Sequence, residues 1–100
     1  MYIAMNRFQI ALGKEQAFID IWSQRETFLD EVPGFNSFDL LQGDTTEEYT
    51  LFASHTVWES LQHFKDWTTS EAFRKAHAGA GGNKDIYVGP PKLEGFTSVL

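Results

Sequence analysis

Residues 31–57 of the chain read EVPGFNSFDLLQGDTTEEYTLFASHTV, and this stretch decides the fold. Val32-Pro33-Gly34 predicts the end of a preceding helix, because the residue before a proline avoids helical angles and glycine permits a turn. Phe35–Gln42 and Tyr49–Val57 alternate in polarity as strands do, and the polar residues 43–48 between them predict a turn. The stretch therefore predicts a helix that leads into an antiparallel β-hairpin.

The chain before this stretch predicts one strand and one helix. Tyr2–Ile10 alternates in polarity, and its N-terminal end is apolar on both faces. Gly13 ends this strand. Apolar side chains then recur at the spacing of an amphipathic helix, namely Ala17, Phe18, Ile21, Trp22, Phe28 and Leu29.

The chain after the hairpin predicts a broken helix and a last strand. Trp58–Trp67 has helical spacing. Thr68-Thr69-Ser70-Glu71 has the spacing of a capping box, so we expect a second short helix to begin there and to run to about His77. A flexible loop is expected over residues 78–83, and Leu93–Leu100 is predicted to form the final strand.

The predicted order of elements, β-α-β-β-α-β, indicates an α+β fold of the ferredoxin-like type. The chain has 100 residues, which predicts a single domain over residues 1–100. Helices on one face of a four-stranded antiparallel sheet leave the other face bare, and that face carries Ile3 and Met5. Nine Phe, three Tyr and three Trp also exceed what the core of a small monomer readily buries. We therefore expect a homodimer in which two sheets pack face to face.

The composition excludes several classes of function. The chain has no cysteine, which excludes disulfides and thiolate metal sites and suits a reducing, cytoplasmic setting. Its net charge is −6 and its basic residues are scattered, so no nucleic-acid partner is expected. No apolar run approaches the length of a transmembrane helix, and Met1–Phe8 lacks the pattern of a signal peptide, so no membrane partner is expected.

Two polar residues are candidates for chemistry, and each has a structural alternative. Asn6 shares a strand face with Ala4 and Phe8, where its amide either satisfies a nearby backbone group or points into a pocket. His77 precedes a glycine-rich loop, where it either complements a helix dipole or acts as a metal ligand or a base.

Trp67 is the third candidate, either as a core residue or as the wall of a cavity. Phe64 and Trp67 lie three residues apart, and Phe73 and His77 lie four apart. A helix break near Thr68 would let both pairs face one cavity.

Other residues carry weaker signals. His55 is expected to be structural, and His63 is expected to face solvent. Gly79–Gly82 lacks the spacing of a phosphate-binding loop, and no His, Asp or Glu cluster has the spacing of a zinc or non-haem iron site.

Asn6, Trp67 and His77, taken with the segments around them, match the pattern of a known family. The chain resembles the antibiotic biosynthesis monooxygenase superfamily over nearly its whole length, and within it the IsdG-type haem-degrading monooxygenases. Asn6, Trp67 and His77 match the catalytic triad of that type in identity and order. The matching segments are Asn6 itself, Val32-Pro33-Gly34-Phe35, Trp67-Thr68-Thr69-Ser70-Glu71-Ala72-Phe73 and Ala76-His77.

The resemblance implies a dimeric α+β barrel with one haem site per subunit, between the helices and the sheet. It implies that His77 holds the haem iron, that Asn6 hydrogen-bonds the distal ligand of the iron, and that Trp67 presses on the porphyrin and keeps it ruffled. Phe64 and Phe73 are then expected to line the pocket. Haem would be both cofactor and substrate, an external reductant would supply electrons, and iron would be released. Imidazole is a common haem ligand, and an amide can donate to bound oxygen where a carboxylate would repel it.

Two alternatives stay open at this point. A cofactor-independent monooxygenase acting on a quinol-like metabolite would keep the fold and use His77 as a base. A non-catalytic haem carrier would keep the site without turnover. Arg25, Arg74 and Lys84 are candidate contacts for the haem propionates, whereas no motif specifies the product or the electron donor.

Overall fold

The computed structural model describes residues 1–24, 29–71, 73–74 and 84–100. Its helices are α1 (Glu15–Gln24) and α2 (Leu61–Thr68), and short 3₁₀ turns cover Leu29–Glu31 and Lys84–Ile86. Its strands are β1 (Tyr2–Ala11), β2 (Phe35–Thr45), β3 (Tyr49–Trp58) and β4 (Lys92–Thr97).

The strands form one antiparallel sheet in the order β2-β3-β1-β4. The central strands β1 and β3 pair along their whole length, from Tyr2 opposite Trp58 to Ala11 opposite Tyr49. α1 connects β1 to β2, and α2 follows β3. This arrangement confirms the predicted α+β, ferredoxin-like fold.

The core consists of two clusters on the side of the sheet that the helices cover. The cluster nearer α1, here called the α1 cluster, contains Phe8, Ile10, Phe18, Phe52 and Ile86. The cluster nearer α2, here called the α2 cluster, contains Ala4, Leu29, Trp58 and Phe64. Each cluster takes residues from both β1 and β3, so the boundary between the clusters crosses the middle of these two strands.

Trp58 corrects the predicted start of the second helix. It is the last residue of β3 rather than the first of a helix, and its side chain is fully buried. The indole Nε1–H donates to Thr56 Oγ1 at 2.9 Å. The helix begins at Leu61 instead, because the Ser60 hydroxyl caps it by accepting the backbone N–H of His63. Strand pairing and a serine cap therefore override the helical spacing of the sequence.

The other boundaries differ from the predictions for local reasons. α1 is described as far as Gln24, and Phe28 lies outside the described residues. Leu29 lies in a 3₁₀ turn, and the Leu29 carbonyl accepts the N–H of Val32 at 3.0 Å. β4 ends at Thr97 rather than Leu100; its last paired residue lies opposite Tyr2, and beyond it the N–H of Ser98 donates to the Met1 carbonyl at 2.9 Å. The hairpin strands extend to Thr45, which shortens the polar turn.

Gly34 joins the start of β2 to the start of α2. Its φ is +82°, a left-handed conformation that favours glycine, and a Cβ at this position would collide with the ring of His63. The Gly34 carbonyl also accepts the N–H of Glu59 at 2.8 Å. His63 is therefore half-buried against this turn, and the expectation that it faces solvent was wrong.

The face of the sheet opposite the helices carries an apolar patch around Ile3 beside charged and polar residues. The register places Ile3 beside Val57 and Phe96, and Phe96 is 48% exposed. An ion pair on this face joins Arg7 to Glu94 at 2.7 Å. None of the helices in the described part of the chain is long and apolar enough to cross a membrane.

Replacing Gly34 should destabilise the fold more than replacing Gly13, the other glycine with a positive φ among the residues that the structure describes. Gly13 has a φ of +84°, but no atom lies within 4 Å of a Cβ placed there. Gly13→Ala should therefore cost only the left-handed strain, about 1 to 2 kcal/mol. Gly34→Ala should cost clearly more, because the His63 ring must also move. Urea unfolding of both variants measures the difference, and equal losses would contradict this account of the turn.

A hydrogen-bonded carboxylate at the start of α1 should make stability depend on pH. Thr50 Oγ1 donates to Glu15 Oε2 at 2.8 Å, and this hydrogen bond is the main cause that lowers the pKa of Glu15. A group whose pKa is lowered by folding stabilises the fold above its ordinary pKa, and this contribution is lost as the pH falls through the folded value. The stability gap between the native chain and Glu15→Gln should thus be full near neutral pH and shrink below the ordinary glutamate range. A gap that is equal in neutral and strongly acidic buffer would refute the assignment.

Candidate functional site

Asn6 lies at the boundary between the two core clusters. On β1, Ala4 before it belongs to the α2 cluster and Phe8 after it belongs to the α1 cluster. Asn6 points to the same side as these two residues and is half-buried. The Asn6 amide makes no hydrogen bond to a residue that the structure describes. The described residues therefore do not support the alternative in which this amide satisfies a nearby backbone group.

Ser54 lies directly opposite Asn6 on β3. Opposed residues of an antiparallel pair point to the same face, so the amide and the hydroxyl lie side by side beneath the helices. Sequence reasoning missed Ser54, because a single serine in a strand carries no signal. Aligning the two predicted strands in register would have found it.

Trp67 is half-buried at the end of α2, where three aromatic rings surround its indole. The ring centroids lie 5.3 Å from Trp58, 6.0 Å from Phe64 and 4.8 Å from Phe73, the last at a near-perpendicular 84°. The structure therefore brings together Phe64, Trp67 and Phe73, the three aromatic residues predicted for the site. Together with the α2 cluster they form an apolar wall on one side of Asn6.

Ser70 makes the helix break that the sequence predicts. Its N–H and its hydroxyl donate to the Trp67 carbonyl at 2.9 and 2.6 Å, which closes α2. The same hydroxyl accepts the N–H of Phe73 at 3.2 Å and so starts the next helical turn. The predicted cap at Thr68 was wrong by two residues, because the Thr68 hydroxyl donates back to the Lys65 carbonyl instead.

The predicted iron ligand, His77, lies outside the described residues, and so does Arg25. Arg74 is exposed and paired with Glu71, while Lys84 starts a 3₁₀ turn. Over the described ranges, no group of three or more His, Cys, Asp or Glu side chains could hold a bare metal ion. A haem requires only an axial ligand from the protein, so this finding does not bear on haem binding.

A separate cavity of about 340 Å³ lies between the Val32–Pro33 turn and α2, with Trp67 on its wall. Asn6 and Ser54 do not line it. His63 does line it, and its Nδ1 lies 2.7 Å from the Ser60 hydroxyl, which fixes the orientation of the ring. The sequence did not predict that His63 lines a cavity, because His63 was expected to face solvent.

Three carboxylates surround the same cavity, namely Glu31, Asp66 and Glu71. Gln62 donates to Asp66 at 2.8 Å, and Arg74 pairs with Glu71. No lysine or arginine of the described ranges lines the cavity. Its electrostatics therefore disfavour an anionic ligand and suit a neutral or cationic one.

Comparison with known proteins places the chain among monooxygenases. A sequence profile described as antibiotic biosynthesis monooxygenase matches residues 1–79. The chain is also 31% identical over 85 residues to a heme-degrading monooxygenase of Bacillus thuringiensis, a match that covers 85% of this chain and 78% of the relative.

Solved structures give the same result for the fold. The heme-degrader MhuD from Mycobacterium tuberculosis, solved with two hemes bound in its active site, superposes with a TM-score of 0.78 at 27% identity. The alignment covers 100% of this chain and 97% of MhuD. SnoaB, a cofactor-independent oxygenase from Streptomyces nogalater, superposes with a TM-score of 0.72 over 99% of this chain and 93% of SnoaB. At 18% identity this second likeness shows the fold alone. On these grounds the chain belongs to the antibiotic biosynthesis monooxygenase family.

Proposed function

We propose that the protein is a haem-degrading monooxygenase that uses haem as both cofactor and substrate. It opens the porphyrin with dioxygen and electrons from an external reductant, and it releases iron. The observation that carries the proposal is the half-buried Asn6 amide, which has no described hydrogen-bond partner and lies between two apolar clusters. The names of the Bacillus relative and of MhuD support the same substrate.

The described residues fit a flat apolar ligand that carries a polar centre. The α2 cluster and Trp67 offer an aromatic wall, and Asn6 offers a hydrogen-bond donor at the foot of that wall. Haem, when bound, supplies the iron that activates dioxygen and the ring that is oxidised. His77 is the proposed iron ligand on the grounds of its sequence context alone.

Asn6 is the proposed hydrogen-bond donor to the distal ligand of the iron. A side-chain amide carries two N–H donors and no charge, so it can stabilise a partly negative oxygen that a carboxylate would repel. Its strand is central in the sheet and is paired on both sides, with Ser54 and with Leu93. The backbone under the amide is therefore rigid, which suits a donor whose position matters.

Trp67 is the proposed residue that presses on the porphyrin. Trp58, Phe64 and Phe73 support its ring, and Ser70 closes the helix that carries it. A ring supported on several sides can distort a ligand without yielding itself, because rotation of the indole would disrupt these contacts. Phe64 and Phe73 thus act mainly by holding Trp67.

The active assembly is proposed to be a homodimer. Ile3, Val57 and Phe96 form an apolar patch that is half-buried to exposed in the single chain, and a second copy of the same face would cover it. The external electron donor and the cytoplasmic location remain predictions from the sequence.

A second candidate function is cofactor-independent oxygenation of a small, neutral aromatic hydroxyl compound. The cavity beside Trp67 favours it, since about 340 Å³ is at the low end of ligand pockets, which span roughly 300 to 1,000 Å³. The oriented imidazole of His63 could accept a proton there, a role that His77 holds in the sequence-based alternative. The carboxylates around this cavity disfavour the dianionic haem, so the two candidate functions use different spaces.

Degradation of haemin should require Asn6 but not a matched surface asparagine. Mixing the protein with haemin and ascorbate in air should bleach the Soret band and release iron to a chelator. Asn6→Ala should still bind haemin but degrade it about 100- to 1,000-fold more slowly, as expected for loss of one donor to developing charge. Asn36→Ala, on exposed β2, is the control and should degrade haemin at the native rate.

A persistent Soret band in the native protein, with no iron released, would overturn the proposed activity. A stable haem complex in the same assay would indicate a carrier. Absence of haem binding together with oxygen uptake on hydroquinone, abolished by His63→Ala, would establish the second candidate. Equal rates for Asn6→Ala and Asn36→Ala would reject the role of Asn6.

A further inference from the structure

The register of β1 and β3 places a second polar group at the floor of the proposed haem site. Asn6 and Ser54 are direct partners in the antiparallel ladder, so their Cβ atoms lie about 4.5 to 5.5 Å apart on the same face. Both strands are interior to the sheet, and both residues are half-buried. The pair therefore forms one continuous polar patch at the centre of the helix-covered face.

Three apolar residues and one hydroxyl border this patch along the strands, and the hydroxyl, that of Thr56, already bonds the Ala4 carbonyl and the Trp58 indole. The three apolar residues are the buried Ala4, Phe8 and Phe52. Across the sheet, Leu40 lies beside Ser54 and Leu93 lies beside Asn6. A polar pair in such surroundings binds either water or a polar group of a ligand, because neither side chain hydrogen-bonds a residue that the structure describes.

Ser54 differs from the other hydroxyl side chains on the same face of β3. Thr50 donates to Glu15, and Thr56 donates to the Ala4 carbonyl at 3.3 Å and accepts from Trp58. Both threonines are buried and have protein partners. The Ser54 hydroxyl makes no hydrogen bond within the part of the chain that the structure describes. Of these three hydroxyls, it is the one left available to a ligand.

We propose that Ser54 donates a second hydrogen bond to the distal ligand of the haem iron, beside that of Asn6. This inference rests on the proposed function, because it requires haem to bind over this patch. Two adjacent donors, one amide and one hydroxyl, bind a shared acceptor atom more strongly than either donor does alone. The ligand class is a small anionic or partly negative group on the iron, such as azide in the ferric state or dioxygen in the ferrous state.

Azide binding to the ferric haem complex tests this contact without any turnover. The dissociation constant, measured from the Soret shift, should rise about 3- to 10-fold in Ser54→Ala, the effect of losing one hydrogen bond. The control is Ser23→Ala, an exposed serine on α1 whose hydroxyl donates to the Asp20 carbonyl, which should leave azide affinity unchanged. The urea midpoint of haem-free Ser54→Ala should equal that of the native chain, because the hydroxyl has no partner in the described fold.

A double variant separates direct contact from an effect through Asn6. If Ser54 touches the ligand, Ser54→Ala should weaken azide binding further in an Asn6→Ala background. If it adds nothing there, Ser54 acts only through Asn6 and the proposal fails. Native azide affinity in Ser54→Ala also overturns the proposal while leaving haem binding intact. A native protein that binds no haemin overturns the proposed function and this inference together.

Discussion

The antiparallel pairing of β1 with β3 is the constraint on which the rest of the structure depends. It aligns Phe8 with Phe52 and Tyr2 with Trp58, which seeds one core cluster on each half of the strands. It also aligns Asn6 with Ser54 at the boundary of these clusters. A register slip of one residue would turn every side chain of a strand to the opposite face. Such a slip would therefore disrupt both clusters and the polar pair at once.

The second constraint is a series of short polar contacts that positions α2. Ser60 caps its first turn, His63 packs on the positive-φ Gly34, and Ser70 closes its last turn. These contacts fix both ends of a helix of only eight residues, which would be marginal on its own. Trp67 depends on these contacts for its position. The role proposed for its ring therefore depends on the hydroxyls of Ser60 and Ser70 and on Gly34. The same contacts also form the cavity beside the Val32–Pro33 turn. The carboxylates that line this cavity disfavour binding of an anionic porphyrin there.

Sequence reasoning recovered the order of the elements because period-2 and helical patterns are strong in this chain. It failed where tertiary context decided the outcome. Trp58 has helical spacing with later residues, yet pairing with Tyr2 retains it in β3. His63 looked like a solvent-facing polar residue, because nothing in the sequence says that Gly34 lies beneath its ring. Asn6 could be identified from its apolar neighbours, whereas Ser54 becomes meaningful only once the register is known.

The central claim is that a flat apolar ligand binds over the Asn6–Ser54 patch and against Trp67, rather than in the acidic cavity. Gallium protoporphyrin tests this most directly, because it is diamagnetic and cannot turn over. In NMR spectra of isotope-labelled protein, its ring current should shift the side-chain amide signals of Asn6 and the hydroxymethyl signals of Ser54 more than the ring signals of His63. Unmoved Asn6 signals, together with large shifts at His63 and Val32, would contradict the account.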